Sequence, residues 1–87
     1  MKKGQLKNGF KFKVDGDAIN DMRFVDALAD MEKDATKISA VVRMLFGEEQ
    51  TEALYKHVEN DKGRVPVDEV IDCVKEVLDS IGDEGKN

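Results

Sequence analysis

Asn8-Gly9-Phe10-Lys11-Phe12-Lys13-Val14-Asp15 leads on to Asp21-Met22-Arg23-Phe24-Val25-Asp26-Ala27-Leu28. Across that join the hydrophobic period changes from two to about 3.6. Phe10, Phe12 and Val14 alternate with Lys11, Lys13 and Asp15, the pattern of a strand with one wet face. Asn8-Gly9 ahead of it is a hairpin signal, because a type I′ turn needs positive φ at both central residues. Gln5-Leu6 supplies the returning strand, which gives a hairpin over residues 5–15. A lone two-stranded hairpin is marginal in water, so this one has to pack on helices.

Everything after the hairpin reads as helix. Asp15-Gly16-Asp17 ends the strand and offers N-cap chemistry for a first helix over 17–32. Ala18, Met22, Val25 and Ala29 form one apolar ribbon on it; Phe24, Leu28 and Met31 form a second, about 100° away. So broad an arc suits a central helix packed on two sides. It equally suits a helix with one face in the core and one for a partner. A second helix over 35–46 carries Ile38, Val41, Val42 and Leu45 on one face, with Met44 pointing away and Gly47 as its stop. Glu48 and Glu49 then favour the start of a third helix over 48–59, through Leu54, Tyr55 and Val58. Asn60-Asp61-Lys62-Gly63 is a turn. Pro66 opens a fourth helix with the strongest stripe in the chain: Val67, Val70, Ile71, Val74, Val77, Leu78 and Ile81. Gly82 ends it. The expected fold is mostly α: about four short helices in a small bundle with an N-terminal β-hairpin, one domain over residues 1–82, and a disordered tail at 83–87.

Eighty-seven residues suffice for one domain, which buries only roughly 60% of its unfolded surface. No run approaches the ~18 apolar residues of a membrane span, and the N-terminal lysines precede no apolar stretch, so neither a membrane helix nor a signal peptide is expected. Cys73 is the one cysteine, which fits a reducing compartment and a cytoplasmic location. Residues 1–13 hold five lysines and no acid; the remainder must carry −10 to reach the net −5. An acidic body repels a phosphate backbone, so no nucleic-acid partner is expected. The lysines read as charges that keep a strand edge soluble.

Reactive chemistry has little to work with. His57 is the one histidine and falls at the edge of the Leu54/Val58 face, a solvent-side residue rather than a base. Cys73 lies about a quarter turn off its helix's stripe, a partly buried structural thiol. Asp72 and Glu76 beside it disfavour a thiolate. Residues 58–69 imitate half an EF-hand loop, but Val58 and Lys62 stand where calcium needs oxygen ligands. Asp79-Ser80-Ile81 resembles a carrier-protein serine turn, yet the long helix that should follow is missing. A helix-turn-helix reader built from helices two and three would present Glu48, Glu49, Glu52 and Glu59 to phosphate. No Gly-rich phosphate loop joins a strand to a helix. The expectation is therefore no catalytic residue, no metal and no cofactor.

What remains is protein–protein interaction. Phe24, Met31, Met44 and Phe46 are apolar residues that a four-helix core does not obviously use. Methionine is flexible and polarisable, which suits a surface that accepts varied helices. These four are the candidate partner-binding residues, in a helix-in-groove mode. The competing reading is that all four complete the core.

Asn8-Gly9-Phe10 entering a strand, Asp21-Met22 with Val25-Asp26-Ala27-Leu28, Leu45-Phe46-Gly47-Glu48-Glu49-Gln50, Ala53-Leu54-Tyr55, and Asp61-Lys62-Gly63-Arg64-Val65-Pro66-Val67 occur in an order that has a parallel. Over nearly its full length the chain resembles the short tail assembly chaperones of long-tailed phages and prophages of Gram-positive bacteria. The resemblance implies a non-enzymatic protein that binds the long, helical tape-measure protein in the host cytoplasm and keeps it soluble until the tail tube polymerises. It carries over no catalytic residues. A homo-oligomer is compatible with the hairpin edge and the broad first helix. Two other roles fit the same residues: a small phage structural or head–tail joining protein, and an acidic regulatory interaction module.

Overall fold

The computed structural model describes residues 2–85. Strands β1 (Lys2–Gln5) and β2 (Lys11–Val14) pair antiparallel, followed by helices α1 (Met22–Lys33), α2 (Ile38–Val58) and α3 (Val67–Gly85). Short 3-10 turns at Gly16–Asn20 and Ala35–Lys37 lead into α1 and α2. The chain is mostly helical with an N-terminal hairpin, as the period change requires; the helix count is three rather than four.

The hairpin is longer and its turn different from the expected one. Lys7 and Asn8 occupy the centre of the turn, closed by Gly9 N–H donating to Leu6 C=O at 2.9 Å. Of these residues only Gly9 has positive φ, at 93°. A type I′ turn on Asn8-Gly9 is therefore excluded. The Asn8 side chain instead accepts from Phe10 N–H at 2.9 Å, holding the chain as it enters β2. Gly4 is needed opposite β2: a Cβ there would lie 2.6 Å from the Phe12 ring, which rests against the β1 backbone.

The first helix starts later than its hydrophobic pattern suggests. Asp15 caps the 3-10 turn by accepting from Asp17 N–H, and Asp21 then caps α1 by accepting from Arg23 N–H. Of the two ribbons on α1, only one is buried. Phe24 and Met31 enter the core and Leu28 packs against it, while Met22 and Val25 face outward.

The helices expected over 35–46 and 48–59 follow each other directly within α2, two helical segments that meet at a kink where Gly47, at φ 79° and ψ 170°, is non-helical. Ile38, Val41, Val42 and Leu45 before the break, and Leu54 after it, enter the same core. Thr51 is fully buried on the inside of the bend and makes a long 3.5 Å hydrogen bond to Val42 C=O. On the outside, Arg43 spans the bend to Glu48 at 2.7 Å and Glu52 at 3.6 Å. Helix α3 begins just after Pro66 and continues through Gly82 to Gly85, overlapping the start of the expected tail; its last residues, 86 and 87, lie outside the described residues.

The core joins the hairpin to all three helices. Leu6, Phe10, Phe12 and Val14 from the hairpin meet Phe24 and Met31 of α1, the α2 residues, and Val70, Val74, Val77 and Ile81 of α3. Each large side chain of this kind contributes about 1.5–3 kcal/mol by leaving water. Phe10 and Phe46 meet edge to face with ring centroids 6.4 Å apart, which fastens β2 to α2.

Candidate functional site

The four partner-binding candidates divide three to one. Phe24 is fully buried, Phe46 is 6% exposed and Met31 8% exposed. These three complete the core, contrary to the expected surface role. The reason is geometric. Phe46, in the last turn before the Gly47 kink, packs edge to face on Phe10, and α1 turns its Phe24/Met31 ribbon inward rather than its Met22/Val25 ribbon. Met44 alone of the four reaches solvent, at 39% exposure.

Among the described residues the exposed large hydrophobics are Ile19, Met22, Val25, Met44 and Val67. Three of them, Ile19, Met22 and Val25, follow one another at three-residue intervals through the 3-10 turn and the first turn of α1. The ribbon containing Met22 and Val25 was legible in the sequence; its exposure was not. Val67, expected in the α3 stripe, is half-exposed at the mouth of a shallow apolar cavity of about 230 Å³ with Ile38, Tyr55, Val65 and Val70.

No family model, curated protein or solved structure matches this chain.

His57 and Cys73, the residues with most capacity for chemistry, are brought from α2 and α3 to the same hairpin turn. His57 Nε2 lies 2.9 Å from Asn8 C=O, so that nitrogen carries the proton and donates. Its ring packs 5.5 Å from Phe10. Asn8 Nδ2 in turn donates to Cys73 Sγ at 3.5 Å. Cys73 is buried rather than partly buried, because the hairpin turn covers the side of α3 that the stripe leaves open. Burial pushes its thiol pKa up, and Glu69, Glu76 and Asp72 push it further; the bond from Asn8 opposes them only in part. A thiol held in its neutral form is a poor nucleophile. Lys7 N–H donates to Glu76 at 2.9 Å, a further tie between turn and α3. Together these contacts lash the hairpin turn to the end of α2 and the middle of α3.

The cleft beside this turn holds Glu69, Asp72, Glu76 and Asp79 near Lys7 and Lys75. Among the described residues no three His, Cys, Asp or Glu side chains converge as metal ligands would. No described helix is long and apolar enough to cross a membrane.

The hairpin's outer face is basic. Lys3 and Lys13 stand directly opposite each other and Gln5 faces Lys11. Gln50 accepts from Lys13 N–H at 2.9 Å and so covers part of the open edge of β2.

Proposed function

We propose that this chain is a non-enzymatic tail assembly chaperone, which binds the helical tape-measure protein in the bacterial cytoplasm and keeps it soluble during phage tail assembly. The ordered motifs from Asn8-Gly9-Phe10 to Arg64-Val65-Pro66 support the family reading. The observation that carries it is that Ile19, Met22, Val25, Met44 and Val67 stand in water on a small domain with 19 acidic residues. Such a body can cover apolar stretches of a long helix while its charges keep the complex dispersed. Buried catalytic machinery has no part in this role. The side chains nearest to chemistry, His57 and Cys73, are engaged in holding the hairpin.

Co-expression with the long coiled-coil-rich protein encoded beside this gene tests the proposal. The expected result is a partner that is insoluble alone and co-elutes with this chain on size exclusion. A partner that stays insoluble or migrates separately overturns it. Mass spectrometry of purified particles separates the structural alternative, since a chaperone is absent from them and a joining protein is present.

A further inference from the structure

Strand β1 is a sheet edge. Leu6 N–H donates to Phe10 C=O at 2.8 Å, which fixes the alternation along the hairpin. The Gly4–Phe12 and Lys2–Val14 pairs therefore exchange backbone hydrogen bonds, and the Lys3–Lys13 and Gln5–Lys11 pairs do not. The N–H and C=O groups of Lys3 and Gln5 point away from β2. Lys13 shows the same alternation on the other strand, since its outward N–H is taken by Gln50 at 2.9 Å. No such acceptor serves β1. Among the described residues, the Lys3 and Gln5 backbones bond to no helix, loop or side chain, and β2 is the principal neighbour of β1.

The side chains beside this edge are cationic. Lys3, Lys11 and Lys13 are exposed and line a shallow cavity of about 450 Å³ with Gln5 and Gln50, and no carboxylate is in its lining. None of the three lysines forms a salt bridge among the described residues. The acids nearest in the fold are otherwise placed. Glu48 and Glu49 lie beside Lys13 on the β2 side of the sheet, where Glu48 pairs with Arg43. Asp15, past the end of β2, accepts from Asp17 N–H. On the inner side the Phe12 ring reaches under Gly4, where a Cβ would stand 2.6 Å from its Cζ. A row of donors and acceptors repeating every ~6.8 Å is matched by another extended peptide. A phosphate backbone or a lipid headgroup offers acceptors but no N–H donors at that spacing. A second copy of β1 would double the lysine cluster on one face, which like charges oppose. An acidic strand gains both the backbone bonds and the charge pairing.

We propose that the free edge of β1 accepts an extended acidic segment of a partner protein as a third, antiparallel strand. Its carboxylates alternate with apolar residues. The carboxylates lie opposite Lys3 and Gln5, and the apolar side chains lie toward Phe12. Backbone bonds to Lys3 and Gln5 set the register, and Lys3, Lys11 and Lys13 select the sign. This surface goes beyond the chaperone reading, whose partner is helical, and it stands or falls without it.

The test is an NMR titration of the ¹⁵N-labelled full chain with peptides of about seven residues, the length of an ordinary strand. One alternates glutamate with valine. The second replaces glutamate by lysine. The third is the glutamate peptide N-methylated at its glutamates, whose N–H groups face β1 in the proposed register. A short oligothymidylate is the fourth probe. The first peptide should shift residues 2–5 and 11–13 and slow amide exchange at Lys3 and Gln5 at least about tenfold, leaving Gly4 unchanged. The other three probes should bind at least about tenfold more weakly. Gln5→Pro should keep the hairpin, because the N–H it removes makes no bond in the free chain, and should weaken the first peptide at least about tenfold, whereas Gln5→Ala should not. If Gln5→Pro fails to fold, Lys3→Gln with Lys13→Gln carries the test and should erase the preference for glutamate over lysine. Equal binding of the glutamate and lysine peptides, full binding of the methylated peptide, or no binding overturns the proposal. Oligothymidylate binding as tight as the peptide's overturns it in favour of a general polyanion patch. Self-association that Gln5→Pro abolishes overturns it in favour of a second copy.

Discussion

Met44 and Phe46 sit two residues apart and do opposite things. Met44 is on the outside of α2, and Phe46 is against Phe10 in the core. Met44→Ser should change the urea midpoint little, within about 0.5 kcal/mol, as surface changes do. Phe46→Ser should cost about 3–5 kcal/mol, because it leaves a cavity and buries a hydroxyl. Equal, small effects of the two changes would mean that Phe46 is not in the core. Cys73 allows a second test. Its raised pKa keeps the folded thiol protonated above the ordinary range, so disulfide-reagent labelling of native protein should be slow at pH 8 and quicken several-fold in urea. The folded pKa is raised, so the associated stability is complete below the unfolded pKa and is lost as pH climbs through the folded one. Cys73→Ala should therefore flatten the alkaline fall in stability; an unaltered slope would count against burial as the cause. At this scale the sequence was informative about residue type but not direction. Periodicity identified Phe24 and Met22 as members of two apolar ribbons, and only the packing of α1 decides which ribbon is inside.

Gly47 shows what is legible about an element. A glycine after Leu45-Phe46 and before Glu48-Glu49 marks the end of one helix and the start of another, and that much is present in the chain. The direction of the second segment is not, because it depends on Thr51 and Leu54 finding the core that Val42 and Leu45 have already entered. The same applies to the hairpin turn. Asn8-Gly9 announces a turn, but whether Asn8 adopts positive φ depends on what holds it, and here His57 and Cys73 do so from distant helices. The bend is testable. At φ 79° and ψ 170°, Gly47 occupies backbone space that an L side chain avoids, although nothing crowds a Cβ there. Gly47→Ala should destabilise the fold by about 1–3 kcal/mol through backbone strain alone, lowering Tm by roughly 5–20 °C in a domain this small. Unchanged Tm with higher helical ellipticity would show instead that α2 runs straight in solution.

Over the whole molecule, charge is segregated more than packing requires. Lys3 and Lys13 oppose each other across the hairpin, an arrangement that disfavours pairing, while the acids lie on the helical body. Repulsion within each region should dominate the response to salt, since the ion-pair network of Arg43 with Glu48 and Glu52 is too exposed to contribute more than ~1 kcal/mol. Raising ionic strength from ~0.01 to ~1 M shortens the screening length from about 30 to 3 Å, which weakens repulsion between exposed like charges. Melting temperature should therefore rise with sodium chloride. Lys3→Glu converts the cross-strand repulsion into attraction worth about 0.2–1 kcal/mol, so it should raise Tm by roughly 1–8 °C at low salt and by less at high salt. The segregation itself, five lysines and no acid in residues 1–13 against a net-acidic remainder, was legible in the sequence; the opposition of Lys3 to Lys13 was not, because it follows from a register set by Leu6 and the Gly9 turn. A Tm that falls with salt, or a Lys3→Glu chain no more stable than the parent, would show that the two lysines turn away from each other and that the hairpin carries no electrostatic strain.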